Sequence, residues 1–150
     1  MRLLHTCVIL LLGICLIQSG CKETPEPVLP IVPVLRVKSI SPSAVQNFDN
    51  LVVLELEYED GDGDLGEEDP DKKTLWVKDS RLADADLYHV QPIAPPDENV
   101  PIQGIIRVEI PNVFIIGNGN SEEVFFRVKI QDRAGHWSEE DVSPSITITR

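Results

Sequence analysis

The chain has 150 residues, with 13 Lys and Arg against 25 Asp and Glu, and a formal net charge of −12 at pH 7. That balance excludes nucleic acid and an anionic membrane surface as partners, because their phosphates would be repelled. The length suits one domain rather than two, no internal repeat is visible, and Cys7, Cys15 and Cys21 all lie too early to staple a later domain with disulfides.

The start of the chain reads as a targeting segment. Arg2 supplies a positive charge, residues 8–17 form an apolar run, and Gln18-Ser19-Gly20 precede Cys21. The run is too short for a comfortable membrane span. Ser19-Gly20-Cys21 resembles a bacterial lipobox, although Gln18 stands where an aliphatic residue is usual. The resemblance implies that residues 1–20 are a signal peptide and that Cys21 is lipidated. Attachment to the membrane would then rest on acyl burial, at about 0.8 kcal/mol per methylene. Lys22-Glu23 resembles the export signal of Bacteroidetes surface lipoproteins. It implies an outer-membrane, lipid-anchored protein at the cell surface, with a periplasm-facing anchor as the alternative.

Residues 21–33 read as the lipidated cysteine and a Pro-rich linker. Pro25, Pro27, Pro30 and Pro33 favour extended polyproline geometry and forbid helix. Val28, Leu29, Ile31 and Val32 leave open a first edge strand. Residues 34–150 form the predicted domain. A strand is expected over 34–39. Over 51–59, Val52, Leu54, Leu56 and Tyr58 alternate with Val53, Glu55, Glu57 and Glu59, which marks a half-buried strand.

Further strands are expected over 74–79, with Trp76 as a packing anchor, and over 102–110. Another is expected over 123–131, with Phe126, Val128 and Ile130 inward, and a last one around Ile146 and Ile148. Residues 80–87 are the one candidate for a helical turn. The Pro-rich stretch 91–101 reads as a crossover between sheets. Together these predict an all-β, immunoglobulin-like antiparallel β-sandwich.

The densest chemistry is the stretch Asp60-Gly61-Asp62-Gly63-Asp64-Leu65-Gly66. Three acids at alternate positions repel one another unless a cation sits among them. Calcium suits such a loop, because it accepts six to eight oxygen ligands in flexible geometry. Magnesium demands stricter octahedral geometry. An EF-hand reading fails: Leu65 stands at the position that needs glycine, and Asp71 where a bidentate Glu is expected. The bland alternative is a solvated acidic turn.

The tail from Phe126 to Ser138, with Asp132-Arg133-Ala134-Gly135-His136, resembles the F–G hairpin of bacterial immunoglobulin-like and fibronectin-like modules. With the acidic loop, it is similar to small Bacteroidetes lipoproteins that carry a DGDGD-[LI]-G loop. In that topology the loops after residues 59 and 131 meet at one end of the sandwich. Asp60, Asp62, Asp64 and Asp132 are then the expected metal ligands, with Ca2+ as a structural cofactor. Glu139, Glu140 and Asp141 follow in the second loop.

Other chemistry is weaker. His89 and His136 lack the further ligands a zinc site needs, and His136 reads as a turn residue beside Trp137. Trp76, Tyr88 and Trp137 could stack on sugar, but packing is the simpler use. Ser138, Glu139 and His136 lack the elbow of a hydrolase nucleophile. Glu67 and Glu68 are adjacent rather than opposed across a cleft. The expectation is a non-enzymatic, lipid-anchored calcium-binding module in cell-surface binding or adhesion, with a protein or glycan partner. The alternatives are a structural accessory subunit of an outer-membrane complex and a glycan-processing enzyme.

Overall fold

A computed structural model describes residues 28–48 and 51–150. The expected signal peptide, Cys21 and the linker up to residue 27 lie outside the described residues.

Every regular element among the described residues is a strand: β1 (Val34–Ser41), β2 (Ala44–Gln46), β3 (Val52–Asp60), β4 (Leu75–Asp79), β5 (Asp86–Tyr88), β6 (Ile102–Ile110), β7 (Ser121–Val124), β8 (Phe126–Ile130), β9 (Asp141–Val142) and β10 (Ile146–Thr149). They form three sheets, ordered β1-β3-β6, β2-β10-β7 and β5-β4-β8-β9. All pairings are antiparallel except β2 with β10.

Side-chain parity builds the core. In β3, Val52, Leu54, Leu56 and Tyr58 are buried, as their alternation predicts. In β8, Phe126, Val128 and Ile130 are buried, and in β10 Ile146 and Ile148. Residues of all three sheets, from Leu35 to Ile148, join in one apolar cluster. Each fully buried Leu or Ile contributes about 1.5–3 kcal/mol relative to exposure.

Four expectations are corrected. The strand expected over 123–131 is two strands: β7 pairs with β10, β8 pairs with β4, and Phe125 is the step between sheets. Similarly, β1 and β2 join different sheets across Pro42, which has no N–H to extend a ladder. A sheet count of three therefore replaces the simple pair. Residues 80–87 form a turn and β5 rather than a helical turn, because Leu87 pairs opposite Trp76. Trp76 itself is half-buried on the outer face, between inward Leu75 and Val77.

The stretch 91–101 does run from β5 in one sheet to β6 in another. The end of the linker packs on the domain: Pro33 is fully buried, and the Pro30 carbonyl accepts a bond from Gly61 N–H.

Candidate metal centre

Strand β3 runs two residues beyond Tyr58, the last member of its apolar series. The inward parity of Val52, Leu54, Leu56 and Tyr58 therefore lands on Asp60, whose exposure is 0%. Pairing of Asp60 with Ile102 of β6 holds it there. The same rule operates on β8. The inward series Phe126, Val128, Ile130 continues to Asp132, which is 3% exposed. A strand in each of two sheets thus carries its inward series on to a buried aspartate, at the end of β3 and two residues past β8.

The loop after Asp60 turns back on itself. Gly63 has φ +73°, and a Cβ there would run into the Val100 carbonyl, so only glycine fits. The Pro-rich crossover is stitched alongside, with Glu67 N–H on Val90 O at 2.9 Å and Ile93 N–H on Leu65 O at 3.3 Å. This brings one carboxylate oxygen from each of Asp60, Asp62 and Asp64 within 4.8 Å of the others. The three are close enough to hold a metal ion, since oxygens about 2.4 Å from a calcium ion lie at most about 5 Å apart.

Hydrogen bonding isolates these oxygens. Among the described residues, five buried side-chain oxygens have no partner, and four belong to this triad: both of Asp60 and one each of Asp62 and Asp64. Buried polar atoms are otherwise almost always paired. The second Asp64 oxygen, Oδ2, is fixed by the Ala134 N–H at 3.0 Å, which leaves Oδ1 in the cluster.

Charge repulsion is correspondingly strong. At 4.8 Å and an effective dielectric near 20, each ionised pair costs about 3 kcal/mol. Burial, then a hydrogen bond shared with Asp62, then the charges of Asp62 and Asp64 push the Asp60 carboxyl up to about 7. Asp64 is also pushed up, by burial first and by the Asp132 charge second.

The loop after β8 meets the acidic loop. Leu65 and Asp132 form a bridge, and Arg133 N–H donates to Asp64 O at 3.2 Å. The Arg133 guanidinium donates to Gly66 O at 3.2 Å. Asp132 lies beside the triad rather than in it. Its Oδ1 accepts the His136 N–H at 2.7 Å, and its Oδ2 lies 2.9 Å from His136 Nδ1. His136 therefore anchors Asp132, a use its place beside Trp137 did not reveal. The signal was available in its spacing, four residues after a strand-end acid.

The remaining acids scatter. Asp141 accepts the Val37 N–H at 2.7 Å, and Glu140 pairs with Arg127 at 3.3 Å. His89 Nε2 bonds the Glu67 carbonyl at 2.7 Å. The Ser138 hydroxyl accepts the Ile130 N–H and donates to the Glu139 carbonyl, both at 3.0 Å.

Comparison with protein-family models, curated proteins and solved structures finds no match to this chain.

Proposed function

We propose that this is a non-enzymatic, lipid-anchored module that binds calcium at Asp60, Asp62 and Asp64. One observation carries the reading: one carboxylate oxygen from each of Asp60, Asp62 and Asp64 lies within 4.8 Å of the others, and the triad holds four buried oxygens without donors. A proton can relieve one of them, whereas a hard divalent ion relieves all of them. Asp132, beside Asp64, adds negative charge and completes or braces the site. Calcium is preferred because Asp60 is fixed by a strand and Asp62 and Asp64 by a loop, a mixed geometry that flexible coordination tolerates.

Shared burial among the three sheets supports an immunoglobulin-like sandwich, with the metal at one end. The lipobox-like Cys21 supports an outer-membrane, cell-surface anchor of the Bacteroidetes type. The role is binding or adhesion, and a structural subunit of an outer-membrane complex is the second reading.

Calorimetric titration of the purified protein with calcium tests the centre. A dissociation constant on the order of 0.1–1 mM is expected. At ~1 mM calcium and a constant of ~0.1 mM, stability rises by about 1.4 kcal/mol. The Asp62→Asn/Asp64→Asn variant should show neither heat nor stabilisation. Equal heats from both proteins would end the proposal.

A further inference from the structure

The outer face of the β5-β4-β8-β9 sheet differs from the rest of this acidic surface. Parity points Trp76 and Lys78 outward from β4, and Arg127 and Lys129 outward from β8. Register sets Trp76 opposite Lys129 and Lys78 opposite Arg127. Lys129 Nζ lies 5.1 Å from the Trp76 ring centre and 4.7 Å from that of Trp137, so the ammonium is held between two indoles. Arg127 lies over Phe125 at 5.9 Å. Trp137 is 38% exposed, and Leu87 at the flank is 48% exposed.

Two features of this face lack an internal explanation. Lys78 and Arg127 are like charges directly opposite each other, an arrangement that destabilises a sheet. Among the described residues neither Lys78 nor Lys129 has a carboxylate within ion-pair distance, and Arg127 has only exposed Glu140. The β1-β3-β6 sheet does the opposite. There Arg36 pairs with Glu59, Lys38 with Glu57 and Arg107 with Glu109. In a chain of net charge −12, two bases without a carboxylate partner, Lys78 and Lys129, converge with Arg127 and both tryptophans at one sheet face.

We infer that this face binds an acidic oligosaccharide. The exposed Trp137 indole suits the C–H surface of a sugar ring, and the neighbouring cations suit carboxylates on successive rings. The general repulsion of a polyanion by this protein leaves this face as the place where one is attracted. A peptide fits less well, because the backbone groups of β4 and β8 are engaged by flanking strands and a face offers only side chains. Nucleic acid fits less well too, since three cations release only about three counterions. The face shares no residue with the cation centre, although Trp137 follows the His136 that holds Asp132, and it goes beyond that reading.

The two tryptophans of the chain both lie here, so intrinsic fluorescence reports on this face alone. The purified full chain is titrated with oligogalacturonate, a neutral cello-oligosaccharide of equal length, polyglutamate and a single-stranded oligonucleotide. Oligogalacturonate should quench the emission saturably and at least tenfold more tightly than the other three. Lys78→Glu/Arg127→Glu should weaken it at least tenfold, and Trp137→Ala several-fold, while both variants keep the calcium heat of the parent. The Asp62→Asn/Asp64→Asn variant should bind oligogalacturonate unchanged. No quenching, equal or tighter binding of any of the other three probes, or indifference to charge reversal overturns the proposal. Loss of sugar binding in the acidic-loop variant would place the ligand elsewhere and overturns it as well.

Discussion

Gly61 donates its backbone N–H to the carbonyl of Pro30 at 2.7 Å. The bond ties the chain that enters the domain to the acidic loop, at the residue between Asp60 and Asp62. A Cβ on Gly61 would lie 2.5 Å from the Leu29 oxygen and 2.9 Å from that of Pro30. Both are backbone atoms and cannot swing away. Gly61→Ala should therefore destabilise the protein by about 1–3 kcal/mol. It should also weaken calcium, since the ligands on either side move. Gly119→Ala, whose Cβ would meet nothing closer than 3.3 Å, is the control and should stay within about 0.5 kcal/mol. Urea denaturation of the three proteins decides this.

The Asp60 carboxyl makes metal-free stability depend on pH. Its folded value is raised from 3.8 to about 7. Stability is then fully present below about pH 4, falls as pH rises toward 7 and is flat above it. The loss is bounded by ~4 kcal/mol, and relaxation of the loop reduces it. Calcium reverses the sign, because it binds the ionised form. In chelator the melting temperature should be lower at pH 8 than at pH 5. The calcium-induced rise should be larger at pH 8. A calcium effect that is larger at pH 5 would refute the assignment of Asp60.

Asp132 and Asp62 should respond oppositely to removal. Asp132 satisfies the His136 backbone N–H, so Asp132→Ala should lower metal-free stability by about 1–3 kcal/mol. Asp62 makes no such bond through its buried oxygen and repels its neighbours. Asp62→Asn should raise metal-free stability and weaken calcium at least tenfold. Chemical denaturation with and without chelator measures both.

Arg81 ties together parts of two sheets. Its guanidinium donates to Asp79 Oδ2 at 2.7 Å, to Glu122 Oε2 at 2.8 Å and to the Phe114 carbonyl at 2.8 Å. Its side chain is 15% exposed, against 44% for Lys38 in the Lys38–Glu57 pair. Arg81→Ala should lower the melting temperature more than Lys38→Ala, and 0.5 M salt should leave that ranking intact. Equal effects would show that Arg81 contributes no more than a surface pair.

Local chemistry accounts for what was readable beforehand. Alternation over residues 51–59 and 102–110 identified strands and their inward faces, because a pleat repeats every two residues. The spacing of Asp60, Asp62 and Asp64 marked a candidate cation loop, and their carboxylates do lie close enough to hold a metal ion. The burial of Asp60 and Asp132 went unread, although the same parity, carried on to the end of β3 and two residues past β8, leads to both.

Partners distant in sequence were decided only by tertiary contact. The step at Phe125 between two sheets, the approach of Asp132 to Asp64 and the seat of Pro30 on Gly61 depend on which strands pair. So does the outward Trp76, which packs on Lys129 rather than in the core. Residue type and periodicity determine which way a side chain leaves its own strand. They do not determine which strand lies beside it, because pairing is chosen by the summed burial of the whole chain.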